Sequence, residues 1–298
     1  MKIKDLGQLL KTSIIQWNNK DPSRQSAVIA YYAIFSIPGL LVLVIRITGY
    51  FYGRDVASQS IIDQFSVTMG ADTASQIKEM LTTVSKSQST IWATILGIAV
   101  LLIGATGVFV ELQKSLNQIW EVKVSVKKGI LVILKARLFS FGLILAIAFL
   151  LLISLVVSSV LSTMSYWINI DTSSLIAYIF TIINFILSLT IISVLFALMF
   201  KILPDAKIKW KHVWLGSFLT GILFTLGKES LAFYFGKANP AAVYGAAGSV
   251  ILILLWVSYS SMILFFGAEF TVAYAKMYSS KVFPTEIANI DLLRKQNA

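Results

Sequence analysis

Six long apolar runs limit what this chain can fold into. They lie at residues 28–52, 92–116, 138–165, 175–201, 211–235 and 247–275. The hydrocarbon core of a bilayer is about 30 Å thick, and a helix crosses it in about 20 residues. Helices of soluble proteins average about 11 to 12 residues and keep a polar face. The sequence therefore predicts an all-α, polytopic membrane protein with six transmembrane helices.

Basic residues are distributed unevenly between the loops. The formal net charge is +11, and 19 of the 25 Lys and Arg residues lie in the N-terminal segment, the second loop, the fourth loop and the C-terminal tail. These segments share one side of the membrane if the six spans alternate, so the positive-inside rule predicts that both termini are cytoplasmic. Topology and anionic headgroups explain the basicity, so we expect membrane lipids as partners and no nucleic acid.

The chain is predicted to form one membrane domain over residues 1–276, followed by a cytoplasmic tail at 277–298. Within residues 1–27, apolar side chains at helical spacing predict an interfacial helix, as an anchor or a gate, that ends at Asp21-Pro22. They are Leu6, Leu9, Leu10, Ile14 and Trp17. Residues 53–91 form the predicted extracytoplasmic loop, whose helix is either a cap or a lid. Its apolar face consists of Ile77, Met80, Leu81 and Val84.

The sequence offers little for metal binding or catalysis. It has no cysteine and a single histidine, His212, which excludes disulfides and argues against Cys/His zinc sites. No nucleophile is joined to a base by a recognisable spacing, and no phosphate-binding glycine loop occurs. We therefore expect no metal, no cofactor and no enzymatic activity, with an intramembrane enzyme as the least favoured hypothesis.

Ionisable residues inside the predicted spans form two layers. Arg46, Lys228 and Glu229 share the outer layer, and Glu111 and Glu269 share the inner one. Each costs about 2.5 to 3.5 kcal/mol to insert, so each needs a partner, water or a function. Because adjacent helical residues point about 100° apart, we expect Glu229 to face the helix bundle and pair with Arg46 rather than with Lys228. Structural ion pairs and a substrate or proton pathway are both open.

Small residues and a proline are also informative within the spans. Residues at four-residue spacing on the fifth and sixth spans predict close helix packing there. They are Ser217, Gly221 and Thr225 on the fifth span, and Gly267, Thr271 and Ala275 on the sixth. Pro38 and Gly39 lie near the centre of the first span, where they predict a kink and are candidates for a hinge.

Several segments together resemble the YihY/BrkB family of bacterial inner-membrane proteins. They are Ala30-Tyr31-Tyr32-Ala33-Ile34-Phe35-Ser36-Ile37-Pro38, Leu112-Gln113-Lys114-Ser115-Leu116-Asn117-Gln118-Ile119-Trp120, Tyr244-Gly245-Ala246-Ala247-Gly248-Ser249, Leu254-Leu255-Trp256-Val257-Ser258-Tyr259 and Gly267-Ala268-Glu269-Phe270. The resemblance covers about residues 25–275 and implies a six-helix protein of the bacterial cytoplasmic membrane. Members have been linked to serum resistance, proposed to move lipids or small solutes, and once mislabelled ribonuclease BN. Asn117 and Glu269 match family motif positions.

Two functions of different classes follow from these observations. The leading hypothesis is an inner-membrane transporter or exporter of a small, anionic or amphiphilic, possibly lipid-related solute through a polar cavity between helices. Its pathway candidates are Arg46, Lys228, Glu229, Glu111, Glu269 and Asn117. The alternative is a membrane scaffold that organises lipids or partner proteins without transport. The small-residue faces are also compatible with a homo-oligomer.

Overall fold

In the part of the chain that it describes, the computed structural model is all-α apart from one short pair of strands. It describes residues 3–53, 91–122, 175–238, 247–278 and 283–284, together with separate positions between 58 and 79 and at 244. The helices are α1 (Ile3–Asn19), α2 (Pro22–Tyr52), α3 (Ile91–Ile119), α4 (Leu175–Ile202), α5 (Trp210–Ala238) and α6 (Gly248–Tyr278). The strands β1 (Ala206–Lys207) and β2 (Phe283–Pro284) pair antiparallel.

Five of the six predicted spans coincide with helices α2 to α6. Within the described residues, three helical segments are long and apolar enough to cross a membrane: Ala99–Ile119, Ile182–Ile202 and Val250–Tyr278. The predicted span at 138–165 lies outside the described residues, and so do the four apolar positions predicted to form a helix within residues 53–91. The predicted all-α class is therefore confirmed, and three of the helices have the length and composition expected of membrane spans.

The break between α1 and α2 lies where the sequence predicts it. Asp21 adopts a left-handed backbone conformation with a φ of 59°, and Pro22 opens α2. Proline is tolerated at the first position of a helix because its missing N–H has no intrahelical partner there. Helix α2 then runs without a break through Pro38 and Gly39. Their side-chain surroundings lie outside the described residues, so their role as a hinge stays a prediction.

The chain divides into two compact units. The first unit comprises residues 1–20, 113–223 and 264–298, and the second comprises 21–112 and 224–263. Helices α3, α5 and α6 therefore supply residues to both units.

In the first unit, α1 packs on the helices that follow later in the chain. Leu9 is fully buried and lies in one cluster with Phe270 and Ala273 of α6. Leu215 and Leu219 of α5 pack against the same cluster. A helix forms where the apolar pattern of the N-terminal segment predicts it, and Leu6, Leu9 and Leu10 pack against protein, whereas Ile14 is about half exposed. The interfacial position of this helix stays a prediction.

Helices α5 and α6 cross through a reciprocal pair of glycine and threonine contacts. A Cβ atom at Gly216 would lie 1.8 Å from the hydroxyl of Thr271, and one at Gly267 would lie 1.8 Å from that of Thr220. Each hydroxyl donates to the carbonyl of the glycine on its own helix, Thr220 to Gly216 at 2.6 Å and Thr271 to Gly267 at 2.8 Å. The predicted close packing of the fifth and sixth helices is confirmed.

The small-residue face predicted on α5 packs closely against a neighbouring helix, as expected. Gly221 faces α4, where a Cβ at this position would lie 2.6 Å from the hydroxyl oxygen of Ser193. The contact with α6 is instead made one residue earlier in each turn, by Gly216 and Thr220. A helix presents several faces at once, and spacing alone does not assign each of them to a neighbour.

In the second unit, α2 packs closely against two glycines of α3. A Cβ at Gly107 would lie 2.3 Å from the Tyr32 ring, and one at Gly104 would lie 2.9 Å from the Tyr32 carbonyl oxygen and 3.1 Å from Ser36 Cβ. Glycine at these two positions lets the two helix backbones approach closely. Tyr32 and Ser36 belong to the family-like segment Ala30–Pro38, so part of that segment serves helix packing.

Candidate functional site

The first unit contains a buried ion pair between Lys20 and Glu269. The Lys20 ammonium lies 2.8 Å from a carboxylate oxygen of Glu269. The Glu269 side chain is fully buried, and that of Lys20 is 19 % exposed. Glu269 lies in the apolar segment Val250–Tyr278, where an unpaired carboxylate would be costly. The pair therefore supplies the counter-charge that the position of Glu269 requires.

Contacts of Lys20 and its neighbours place the Lys20 ammonium beside Glu269. The residue follows the last turn of α1, and its backbone N–H donates to the Trp17 carbonyl at 3.2 Å. The Trp17 ring meets Phe266 of α6 edge-on, with ring centroids 6.1 Å apart. The Lys20 ammonium also donates to the Ile119 carbonyl at 3.0 Å, at the end of α3 where helix carbonyls lack intrahelical partners and carry partial negative charge. One ammonium thus joins the ends of α1 and α3 to α6.

Several buried polar atoms near this ion pair have no hydrogen-bond partner among the described residues. Gln16 Oε1 and Trp17 Nε1 lie in the turn of α1 before Lys20. Ser115 Oγ and Trp120 Nε1 lie on α3 and directly after it, within one turn of Ile119. Leaving a buried polar group unpaired costs about 1 to 3 kcal/mol, and ordered water is its usual partner. These four atoms are therefore available for hydrogen bonds with water or with a polar solute.

A second polar connection joins α3 to the turn before β1. Asn117 donates through Nδ2 to an Asp205 carboxylate oxygen at 3.0 Å and accepts the Asp205 backbone N–H through Oδ1 at 2.7 Å. The Gln113 amide reaches the same carboxylate oxygen at 3.5 Å. Both ends of the Asn117 amide are occupied by protein. We therefore assign Asn117, a predicted pathway residue, a part in fixing the α4–α5 turn to the end of α3.

A more exposed ion pair lies in the same unit. The Lys276 ammonium donates to the Glu121 carboxylate at 2.8 Å, and the two side chains are 44 % and 60 % exposed. This hydrogen bond is the main reason that the Glu121 pKa is held below its ordinary value, and the positive charges of Lys276 and Lys20 act in the same direction. Glu121 has a left-handed backbone conformation with a φ of 57° at the end of α3.

The outer-layer prediction for Glu229 is wrong. Its carboxylate lies 3.2 Å from the Lys228 ammonium, and its side chain is 71 % exposed rather than turned into the bundle. Long side chains bend along the helix surface, so a 100° separation at the backbone does not prevent pairing at the charged ends. The Arg46 side chain lies outside the described residues. Glu111 is buried, and its predicted role stays a prediction.

Lys228 itself lies among aromatic side chains of the second unit. It shares a pocket with Phe224, Trp256 and Tyr259 that leaves no room for a water molecule. The Phe224 and Trp256 rings meet edge-on at 6.0 Å. Within the described residues, no three Asp, Glu or His side chains come together as a metal site would require.

Comparison with known proteins confirms the family resemblance that the sequence motifs indicated. The family model described as Virulence factor BrkB matches residues 14–286. The chain belongs to the BrkB family. This match includes the Lys20, Asn117 and Glu269 positions. This member of the BrkB family is thus a multi-pass membrane protein of the bacterial type.

Curated relatives of this BrkB protein carry the name UPF0761 membrane protein. That of Saccharophagus degradans is 25 % identical over 273 residues, which cover 91 % of this chain and 60 % of the relative. That of Glaesserella parasuis is 26 % identical over 234 residues, covering 77 % and 76 % of the two chains. That of Legionella pneumophila is 28 % identical over 219 residues, covering 72 % and 48 %. No solved structure matches the chain.

Proposed function

We propose that this BrkB protein is a transporter of the bacterial cytoplasmic membrane, with Lys20 and Glu269 at the cytoplasmic mouth of its pathway. The observation that carries the proposal is a fully buried carboxylate on an apolar helix, paired with one partly exposed lysine. Ionisable groups at such positions are typical of ion and proton pathways. Unpartnered polar atoms beside the pair support access by water.

The proposed topology follows from the charge distribution. Six spans, including the one at 138–165, place both termini in the cytoplasm. The proposed substrate class is a small anionic or amphiphilic solute, and it rests on the excess of basic residues that gives the chain its net charge of +11. With no nucleotide-binding motif in the sequence, an ion gradient or the gradient of the solute supplies the driving force.

Two observations favour a scaffold instead. The Asn117 amide is satisfied at both ends by Asp205, and the pocket around Lys228 leaves no room for water. Polar groups that are fully paired in dry surroundings lock helices together. In a scaffold, the Lys20–Glu269 pair would also be dry and would serve only to join α1 to α6.

Cysteine accessibility separates the two functions, because the chain has no cysteine of its own. Ser115 is buried, has an unpartnered hydroxyl and tolerates a nearly isosteric change, so Ser115→Cys is the reporter. Inverted membrane vesicles carrying this variant are treated with a positively charged methanethiosulfonate reagent. A transporter with a hydrated mouth is expected to be labelled at this position, and labelling is expected to change severalfold when Glu269→Gln is added.

Two control variants define the labelling expected of a protected position and of a fully accessible one. Ser193→Cys is a matched buried position on α4 whose hydroxyl donates to its own helix at 2.7 Å, so it should stay protected. Lys209→Cys lies at an exposed position and should react fully. Protection of Ser115→Cys equal to that of Ser193→Cys would favour the scaffold over the transporter.

A further inference from the structure

The start of α5 carries an exposed aromatic stripe. Trp210, Trp214 and Phe218 are each about half exposed and recur every four residues, so they share one face of the helix. The two indole rings lie near each other, with centroids 6.3 Å apart and planes inclined by 33°. We call these three residues the α5 stripe. Such a face must be covered by lipid or by protein.

Basic residues surround the polar end of the α5 stripe. Residues 201–211 contain four lysines and one acidic residue, Asp205, whose carboxylate is already engaged by Asn117. The Lys201 ammonium lies 5.9 Å from the centroid of the Trp210 ring and donates to the Ile208 carbonyl. Lys209 and Lys211 are exposed on either side of Trp210. The excess positive charge is therefore displayed beside the first tryptophan.

Charge and apolar surface follow one another along the helix axis. Using the helical rise, Trp214 lies about 6 Å and Phe218 about 12 Å beyond Trp210. A molecule lying along this face meets ammonium groups first, then indole rings, then a phenyl ring. That order matches a phospholipid, whose anionic headgroup is followed by an ester region and an acyl chain.

We propose that the α5 stripe, with Lys209 and Lys211, binds an anionic phospholipid of the surrounding bilayer. Charge complementarity selects the headgroup, and the indole rings hold the glycerol and upper acyl region. Buried Val213 and His212 on the same turns anchor the helix to the rest of the first unit, and the His212 ring packs against Tyr274 at 5.7 Å. The proposed lipid site therefore lies on a helix that is packed against the rest of the first unit. It is independent of the proposed transport pathway.

Native mass spectrometry of the full chain in detergent tests this site. The protein is mixed with equal amounts of phosphatidylglycerol and phosphatidylcholine of distinguishable mass, and retained lipid is counted. Lys209→Gln/Lys211→Gln is expected to lower phosphatidylglycerol retention about tenfold, and Trp210→Leu/Trp214→Leu is expected to lower it as well. Retention of phosphatidylcholine should change little in the lysine variant.

The matched control is Lys78→Gln/Lys237→Gln, which removes two exposed lysines elsewhere and should leave phosphatidylglycerol retention unchanged. Circular dichroism and size-exclusion elution verify that every variant is folded. Equal loss in the control and in Lys209→Gln/Lys211→Gln would mean that net charge alone attracts the lipid. Either that result or unchanged retention in the lysine variant would overturn the proposed site.

Discussion

The Lys20 ammonium lies 2.8 Å from the Glu269 carboxylate, although the two residues are separated by most of the chain. Lys20 follows the short first helix, whereas Glu269 lies within the apolar segment Val250–Tyr278. The contact ties the start of the chain to its last long helix, and a second contact, from the Lys20 ammonium to the Ile119 carbonyl, includes α3. Removing either partner therefore leaves the other charge unpaired and also removes a contact between the end of α1 and α6.

We predict that Lys20→Met destabilises the protein by about 3 to 5 kcal/mol, because it leaves the buried Glu269 carboxylate without its counter-charge. Lys20→Met/Glu269→Leu should recover much of that loss, since the double variant buries no charge. The free energy of unfolding is measured by denaturant titration in mild detergent. Glu121→Gln/Lys276→Gln is the matched control, because this exposed pair should contribute less than about 1 kcal/mol. A Lys20→Met variant as stable as this control would contradict the prediction.

We predict that Asn117→Ala costs about 2 to 3 kcal/mol, since it leaves the Asp205 backbone N–H and carboxylate without their partner. Gln113→Ala should cost less, because its amide reaches Asp205 only at 3.5 Å. A double-mutant cycle with Asp205→Ala measures the coupling, which should be strong for Asn117 and weak for Gln113. Equal coupling energies for the two residues would argue against the reciprocal pair of hydrogen bonds.

Helix positions could be predicted from the sequence because their signals are local. Long apolar runs predict the spans, and Asp21-Pro22 predicts the boundary between α1 and α2. The partner of Glu269 could not be predicted, since nothing in the local sequence of Lys20 indicates which distant helix its ammonium meets. Asp205, the partner of Asn117, was missed for the same reason. Its one local signal is its place after Pro204, at the end of α4.

The error at Glu229 has a different cause. Helical geometry fixes the direction of Cβ atoms, but the charged ends of Lys228 and Glu229 lie several bonds further out and can bend toward each other. The directions of short side chains are more predictable, which explains why the small residues of α5 and α6 correctly indicated close packing.

The exposed pair Glu121–Lys276 should make a small, pH-dependent contribution to stability. The folded-state pKa of Glu121 is lowered, chiefly by the hydrogen bond from Lys276. Its stabilisation is therefore present above the unfolded-state pKa and is lost as the pH falls through the lowered folded-state value. Solvent screening of this half-exposed group limits the effect to about 0.5 kcal/mol. We expect the difference in unfolding free energy between the wild type and Glu121→Gln to shrink from about pH 6 toward pH 3. A pH-independent difference would contradict this assignment.

The crossing of α5 and α6 depends on the absence of a side chain at Gly216. We predict that Gly216→Ala destabilises the protein by about 1 to 3 kcal/mol, because the new methyl group would overlap the Thr271 hydroxyl and force the helices apart. Gly236→Ala is the matched control on the same helix, where a Cβ meets nothing within 4 Å. There the higher helix propensity of alanine should leave stability unchanged or raise it by up to about 1 kcal/mol.

A second substitution tests whether the Gly216 effect arises from this one contact. Thr271→Gly removes the hydroxyl and Cβ that the alanine methyl would meet, so Gly216→Ala should cost less in the Thr271→Gly background than in the wild type. Thermal unfolding of all four proteins in the same detergent gives the coupling. If Gly216→Ala costs the same in both backgrounds, the strain lies elsewhere on α5. A smaller cost in the Thr271→Gly background assigns the strain to the reciprocal glycine and threonine contacts, which set the distance between the two helices.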